Sequence, residues 1–148
     1  MPQASRENIY TALFNLLNGA YAWALSSRRI FPLAQMAAAS QQPAMMLAQW
    51  PSEKAEQNKA WGLTKWQLKA QCLVYFRVDI TPDGSVPPAA TGNVILDAIE
   101  SALNPNIERQ SLGGLVENCW IDGEIVHVDG SDDGQGLLII PISILSGG

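Results

Sequence analysis

Between residues 65 and 78 the chain alternates apolar and polar positions. Trp66, Leu68, Ala70, Cys72, Val74, Phe76 and Val78 share one parity, with Lys65, Gln67, Lys69, Gln71 and Arg77 between them. Successive side chains of a strand point to opposite faces, so a period of two predicts a half-buried strand over 65–78. At about 3.3 Å per residue it would run roughly 45 Å, more than the ~40 Å diameter expected of such a domain, so it has to bend or project as one arm of a long hairpin.

Helical spacing takes over elsewhere. Ile9, Leu13, Leu16, Leu17 and Ala20, widened by Tyr10 and Phe14, predict a helix over 6–18, with Ser5 as N-cap and Gly19 as stop. Val94, Ile95, Ala98, Ile99, Ala102 and Leu103 predict a second helix after Pro87-Pro88, ended by Asn104-Pro105. Thr81-Pro82-Asp83-Gly84-Ser85 is turn chemistry. Residues 23–30 fit either a short strand or a helical turn, and the Ala- and Gln-rich stretch 36–42 reads as a connection.

The remaining apolar runs read as strands. Ala44-Met45-Met46-Leu47-Ala48 after Pro43 has strand length, and the polar stretch 51–63 after it reads as a long exposed loop, with a helical turn inside it as an alternative. Residues 115–128 read as a strand broken at Asp122-Gly123 by a bulge or a tight hairpin. The last strand, 137–145, is apolar on both parities apart from Pro141 and Ser143; Pro141 cannot donate to a ladder and is expected at a gap or an edge.

Helix, strands, helix, strands, without a β-α-β rhythm, predicts a single-domain α+β fold: an antiparallel or mixed sheet with two main helices packed on one face. Two helices cover one face only. Leu137, Ile139 and Leu145 oppose Leu138, Ile140, Ile142 and Ile144 across the last strand, so the second face needs a cover of its own, and a partner subunit is the economical one.

Composition narrows the class. With 148 residues, 47% hydrophobic and 16% charged, the chain can bury a core without disulfide or metal staples. No apolar stretch approaches the roughly 18 residues of a membrane span, and the N-terminus lacks the apolar region of a signal peptide, so the protein is expected to be soluble and made in the cytoplasm. A net charge of −5 disfavours nucleic-acid binding, which needs clustered Lys and Arg; Arg28-Arg29 is the only adjacent basic pair. Cys72 and Cys119 lack metal-ligand spacing and read as buried apolar residues.

Catalytic patterns are weak. His127, the only histidine, sits between Val126 and Val128 and is expected to be solvent-facing or hydrogen-bonded; it meets Cys119 only if Asp122-Gly123 reverses the chain. Asp129-Gly130-Ser131-Asp132-Asp133-Gly134 resembles the start of a calcium loop, but its twelfth position, where a bidentate Glu is needed, is Ile140, so a solvated hairpin loop is preferred. No phosphate-binding glycine loop or nucleophile elbow is present. No catalytic residue, metal or cofactor is expected. Among the five tryptophans, Trp50 and Trp61 bracket the polar stretch and are interface candidates, while Trp66 reads as core.

The order of elements resembles that of the tail-terminator (tail-tube completion) proteins of long-tailed bacteriophages. The similar features are the helix at Ile9 to Leu17, the Arg28-Arg29 segment, the strand at Pro43 to Leu47, the long strand from Trp66 to Val78, the helix from Val94 to Leu103 and the closing run Ile139-Ile140-Pro141-Ile142-Ser143-Ile144-Leu145. The resemblance covers most of the chain and is one of pattern rather than of diagnostic residues. It implies a virion protein that forms a ring, commonly a hexamer, on the head-proximal end of the tail tube. Such a ring stops tube polymerisation and offers a surface to the head connector, while DNA passes through an acidic lumen without specific binding. Its partners would be further copies of itself, the tail tube protein and the connector. Interface candidates are Arg28, Arg29, Trp50, Trp61, Ile140 and Ile142. Another neck, connector or tube subunit is an alternative, as is a cytosolic ligand-binding α+β domain.

Overall fold

A computed structural model of the chain describes residues 5–35, 39–56, 64–79, 84–104 and 109–147. Helix α1 (Arg6–Asn18) starts where Ser5, in extended conformation, accepts the Asn8 N–H on its hydroxyl at 3.1 Å. It stops at Gly19, whose N–H donates to the Asn15 carbonyl, and the Trp23 indole donates to the Leu17 carbonyl at 2.9 Å, so carbonyls left open by the helix end are satisfied locally. Ile9, Tyr10, Leu13 and Leu17 form its buried stripe.

Strand β1 (Leu25–Ser27) follows, then short 3-10 turns at Leu33–Gln35 and Ala39–Gln41, β2 (Ala44–Gln49), β3 (Lys54–Glu56) and β4 (Lys65–Arg77). Helix α2 (Ala89–Leu103) precedes β5 (Asn118–Ile121), β6 (Val126–Val128) and β7 (Gln135–Ser146). Among the described residues the sheet has seven strands in the order β1-β2-β4-β7-β5, with β3 also beside β4 and β6 also beside β7, and only β1–β2 is parallel. This is the expected α+β class, and Ile9, Leu13 and Leu17 of α1 share one core with Ile95, Ile99 and Leu103 of α2 on the same face of the sheet.

One local expectation changes and two become definite. The stretch expected as a loop after Trp50 contains β3, which pairs with the start of β4 through Lys54↔Gln67 and Glu56↔Lys65; residues 57–63 lie outside the described residues. Backbone pairing there comes from a neighbour already in place, which a polar pattern does not report. Helix α2 begins at Ala89, directly after Pro87-Pro88 and a turn before the apolar pattern at Val94; Pro88 already has helical φ and ψ, and Gly92 in that first turn is buried. The undecided segment at 23–30 contains the short strand β1.

The long strand β4 is present, and its partner along the whole length is the last strand, from Trp66↔Ser146 to Arg77↔Gln135. Along the other edge of β7 lie β5 and β6 in line. Ile121 to Val126 takes five steps where Ile142 to Ile139 takes three, so the interruption at Asp122-Gly123 is a bulge and not a hairpin. Pro141 stands at that bulge: its carbonyl accepts the Asp122 N–H at 3.0 Å, and its missing N–H would point to the same broken side of the ladder.

Candidate interaction surface

Pairing decides which side chains share a face. Leu68, Ala70, Cys72, Val74 and Phe76 of β4 and Leu138, Ile140, Ile142 and Ile144 of β7 lie under the helices. Ile140 and Ile142, expected as interface positions, are 0% and 1% exposed; the covered parity of β7 is theirs, and they belong to the core rather than to any open surface.

The opposite, outer face is laid out in rows across the sheet. Leu25, Ala44, Tyr75, Leu137 and Val128 form one row, and Ser27, Met46, Leu73, Ile139 and Val126 the next. The segment after β1 crosses part of it: the Phe31 N–H lies 3.3 Å from Met46 Sδ, the Tyr75 hydroxyl donates to the Phe31 carbonyl at 3.4 Å, and Ala44, Met46 and Tyr75 are buried there. Among the described residues that cover thins towards β7 and β6, where Leu33 still shares a cavity with Val128 and Leu137. Leu73, Leu137, Ile139 and Pro141 are half-buried, and Val126 and Val128 are 42% and 48% exposed.

Charge divides across this sheet. Residues 19–52 contain Arg28 and Arg29 and no Asp or Glu, whereas residues 117–134 contain Glu117, Asp122, Glu124, Asp129, Asp132 and Asp133 and no Lys or Arg. These segments carry the opposite edges, β1 and β5/β6. Arg28 pairs with the Glu7 carboxylate, at 2.9 Å to Oε2, and lies over the Tyr10 ring. Arg29 stacks over Phe31 at 4.9 Å and makes no ion pair among the described residues.

The acidic loop between β6 and β7 is a turn held by its own carboxylates. Asp129 accepts the Ser131 N–H at 2.9 Å and Asp133 the Gln135 N–H at 3.0 Å, with Gly130 and Gly134 at φ 87° and 82°, where a Cβ would be strained. Hydrogen bonds from Ser131 hold the Asp129 carboxyl below its usual range. Among the described residues, no three His, Cys, Asp or Glu side chains converge as a metal would require.

His127 contradicts its expected setting. Its register opposite Leu138 turns it to the inner face, where the ring meets Phe76 edge-on at 6.2 Å and Nε2 is buried without a hydrogen-bond partner. It is not brought to Cys119. They stand opposite Leu138 and Ile144, six residues apart on β7 and hence roughly 20 Å. Burial pushes the thiols of Cys119 and Cys72 up to about 12, so both stay protonated and poorly nucleophilic at neutral pH. A cleft of about 490 Å³ opens between the end of α2 and β5, with Glu100 and Arg109 as its charged walls and Trp120, Ile121 and Ile125 among its apolar ones.

No protein-family model matches the sequence. No curated protein matches it either.

Of the interface candidates, Arg28 and Arg29 are exposed just after the edge strand β1, Trp50 is exposed at the end of β2, and Trp61 lies outside the described residues. The outer-face positions Leu73, Val126 and Val128 were not among the candidates. A signal for Leu73 exists: it and Tyr75 interrupt the otherwise polar parity of 65–77. No helix among the described residues is long and apolar enough to cross a membrane.

Proposed function

We propose that this chain is a structural subunit that associates with copies of itself into a ring, and that the ring caps a phage tail tube, ending its polymerisation and presenting a surface to the head connector. The observation that carries the reading is the half-open apolar outer face formed by Leu73, Leu137, Ile139, Val126 and Val128. Contiguous apolar surface of this kind on a single chain favours burial against a partner. A closed ring uses heterologous contacts, in which each copy offers two different patches, and the unlike charge of the two sheet edges suits that requirement. The element order resembling tail terminators supports the specific role, and a net charge of −5 suits a lumen through which DNA slides.

Light scattering on the purified protein, together with tail length in particles lacking it, tests the reading. A ring mass and over-long or headless tails are expected. A protein that stays monomeric even with tubes present, and tails of normal length that join heads without it, would refute it. Another neck or tube subunit would assemble too but bind the portal side or the tube wall instead of tube ends. The cleft beside α2 favours a second reading, a small-molecule-binding domain, which predicts a saturable ligand and no ring.

A further inference from the structure

The two open edges of the sheet fit each other. Among the described residues β1 pairs only with β2 and β6 only with β7, so each has one side without a strand. Their directions follow from the ladder. β6 is antiparallel to β7, β7 to β4, and β4 to β2, while β2 is parallel to β1; therefore β1 and β6 run oppositely. A sheet that continues into a second copy without turning over sets β6 of one copy antiparallel beside β1 of the next, the more stable pairing per residue.

The rows set the register. Leu25 shares a row with Val128, and Ser27 with Val126. Keeping those rows level across the junction pairs Leu25 with Val128 and Ser27 with Val126, which brings Arg29, on the bend that follows β1, to the end of the junction where Glu124 precedes β6. Both are exposed; Arg29 lacks an ion-pair partner among the described residues, and the same holds for Glu124. The junction would also set exposed Val128 and Val126 beside Leu25 and Ser27 of the neighbour's edge strand.

We infer that copies of this chain join head to tail by sheet extension, β6 of one adding to β1 of the next, with Arg29 answering Glu124 across the junction. This rests on the reading of the chain as a self-associating subunit and names the surface it uses. The occupant is a second copy because the complementarity is internal: the edge whose segment carries Arg and no acid and the edge whose segment carries Asp and Glu and no base belong to the same sheet.

Charge reversal with sedimentation velocity tests it on the full chain. Arg29→Glu and Glu124→Arg should each weaken association by about tenfold or more, with unchanged far-UV circular dichroism, and should reduce its salt dependence. The double variant should recover most of the loss. So should an equimolar mixture of the two single variants, since each then faces its complement. Cysteines placed at Ser27 and Val126 of one chain should crosslink copies to one another, the native Cys72 and Cys119 being buried. Wild-type assembly that neither reversal weakens and that never crosslinks would overturn the sheet-extension inference and leave self-association standing. Stronger association on reversing either charge would also overturn it, since the charges would then be guards that keep the edges apart. A wild-type chain that remains monomeric at every concentration would remove both.

Discussion

Gly92 lies where α2 crosses β4 and β6, and a Cβ added there would collide with the His127 imidazole and approach Phe76 Cζ to 2.9 Å. Alanine is the better helix former by about 1 kcal/mol, yet overpacking a dense contact costs about 1–3 kcal/mol. Gly92→Ala should therefore destabilise the protein in urea titration, and adding His127→Ala should recover part of the loss. A neutral or stabilising Gly92→Ala would mean that the imidazole moves aside freely. Burial also sets the alkaline limit. It raises the Cys72 and Cys119 thiols from 9.0 to about 12, and, with Glu53 adding to burial, the Tyr10 hydroxyl from 10.0 to about 12. A folded-state pKa above the unfolded one gives stability that is complete below the unfolded value and lost as pH rises towards the folded one. The urea midpoint should be insensitive to these groups below about pH 9 and fall from there towards pH 12, and replacing both cysteines by alanine should flatten the part of the slope that begins near 9.

Within elements, β7 shows how parity divides the work of one strand. Ile140 faces the helices and is fully buried, while its neighbour Ile139 stands half-buried on the outer face beside Leu73 and Val126. Ile140→Ala should cost about 2–5 kcal/mol of stability, as large-to-small changes in a core do. Ile139→Ala should cost much less in the isolated chain and weaken self-association instead, checked by denaturation and sedimentation on the same samples. Equal losses of stability from both would mean that the outer face is already covered within one chain. The bulge at Asp122-Gly123 belongs to this scale too. It absorbs the ladder position that Pro141 leaves open, and Asp122 is held there by the Ser143 hydroxyl, which donates to its carboxylate at 2.8 Å.

Among the described residues, one sheet face is closed by the two helices and the other by the segment around Phe31 over only part of its width. The proposed assembly would complete such a design, and its energetics should be mixed: apolar burial along the outer face, with charge setting register and rate. Association should weaken with added salt without vanishing. Trp50, exposed at the end of β2, provides a separate check, because Trp50→Ala should leave the unfolding midpoint in place and, if its ring is buried in the assembly, lower the assembled mass at a fixed concentration.

Much was legible in the sequence because it depends on neighbours along the chain. The period of two over 65–78, the Ser5 cap, the Gly19 stop and the exclusion of Pro141 from an intact ladder follow from local stereochemistry, and the structure keeps each of them. Other features depend on residues far apart. With both parities of 137–145 apolar, pattern could not tell Ile140 and Ile142 from Ile139, and only pairing with β4 assigns them to the helix side. His127 looked solvent-facing or hydrogen-bonded until its register opposite Leu138 turned it inward under Gly92. The short strand β3 is polar and becomes a strand because β4 offers it a free edge. Alternation within a strand is set by the chain itself, but which alternate is buried, and which edge is left open, is set by what folds against it.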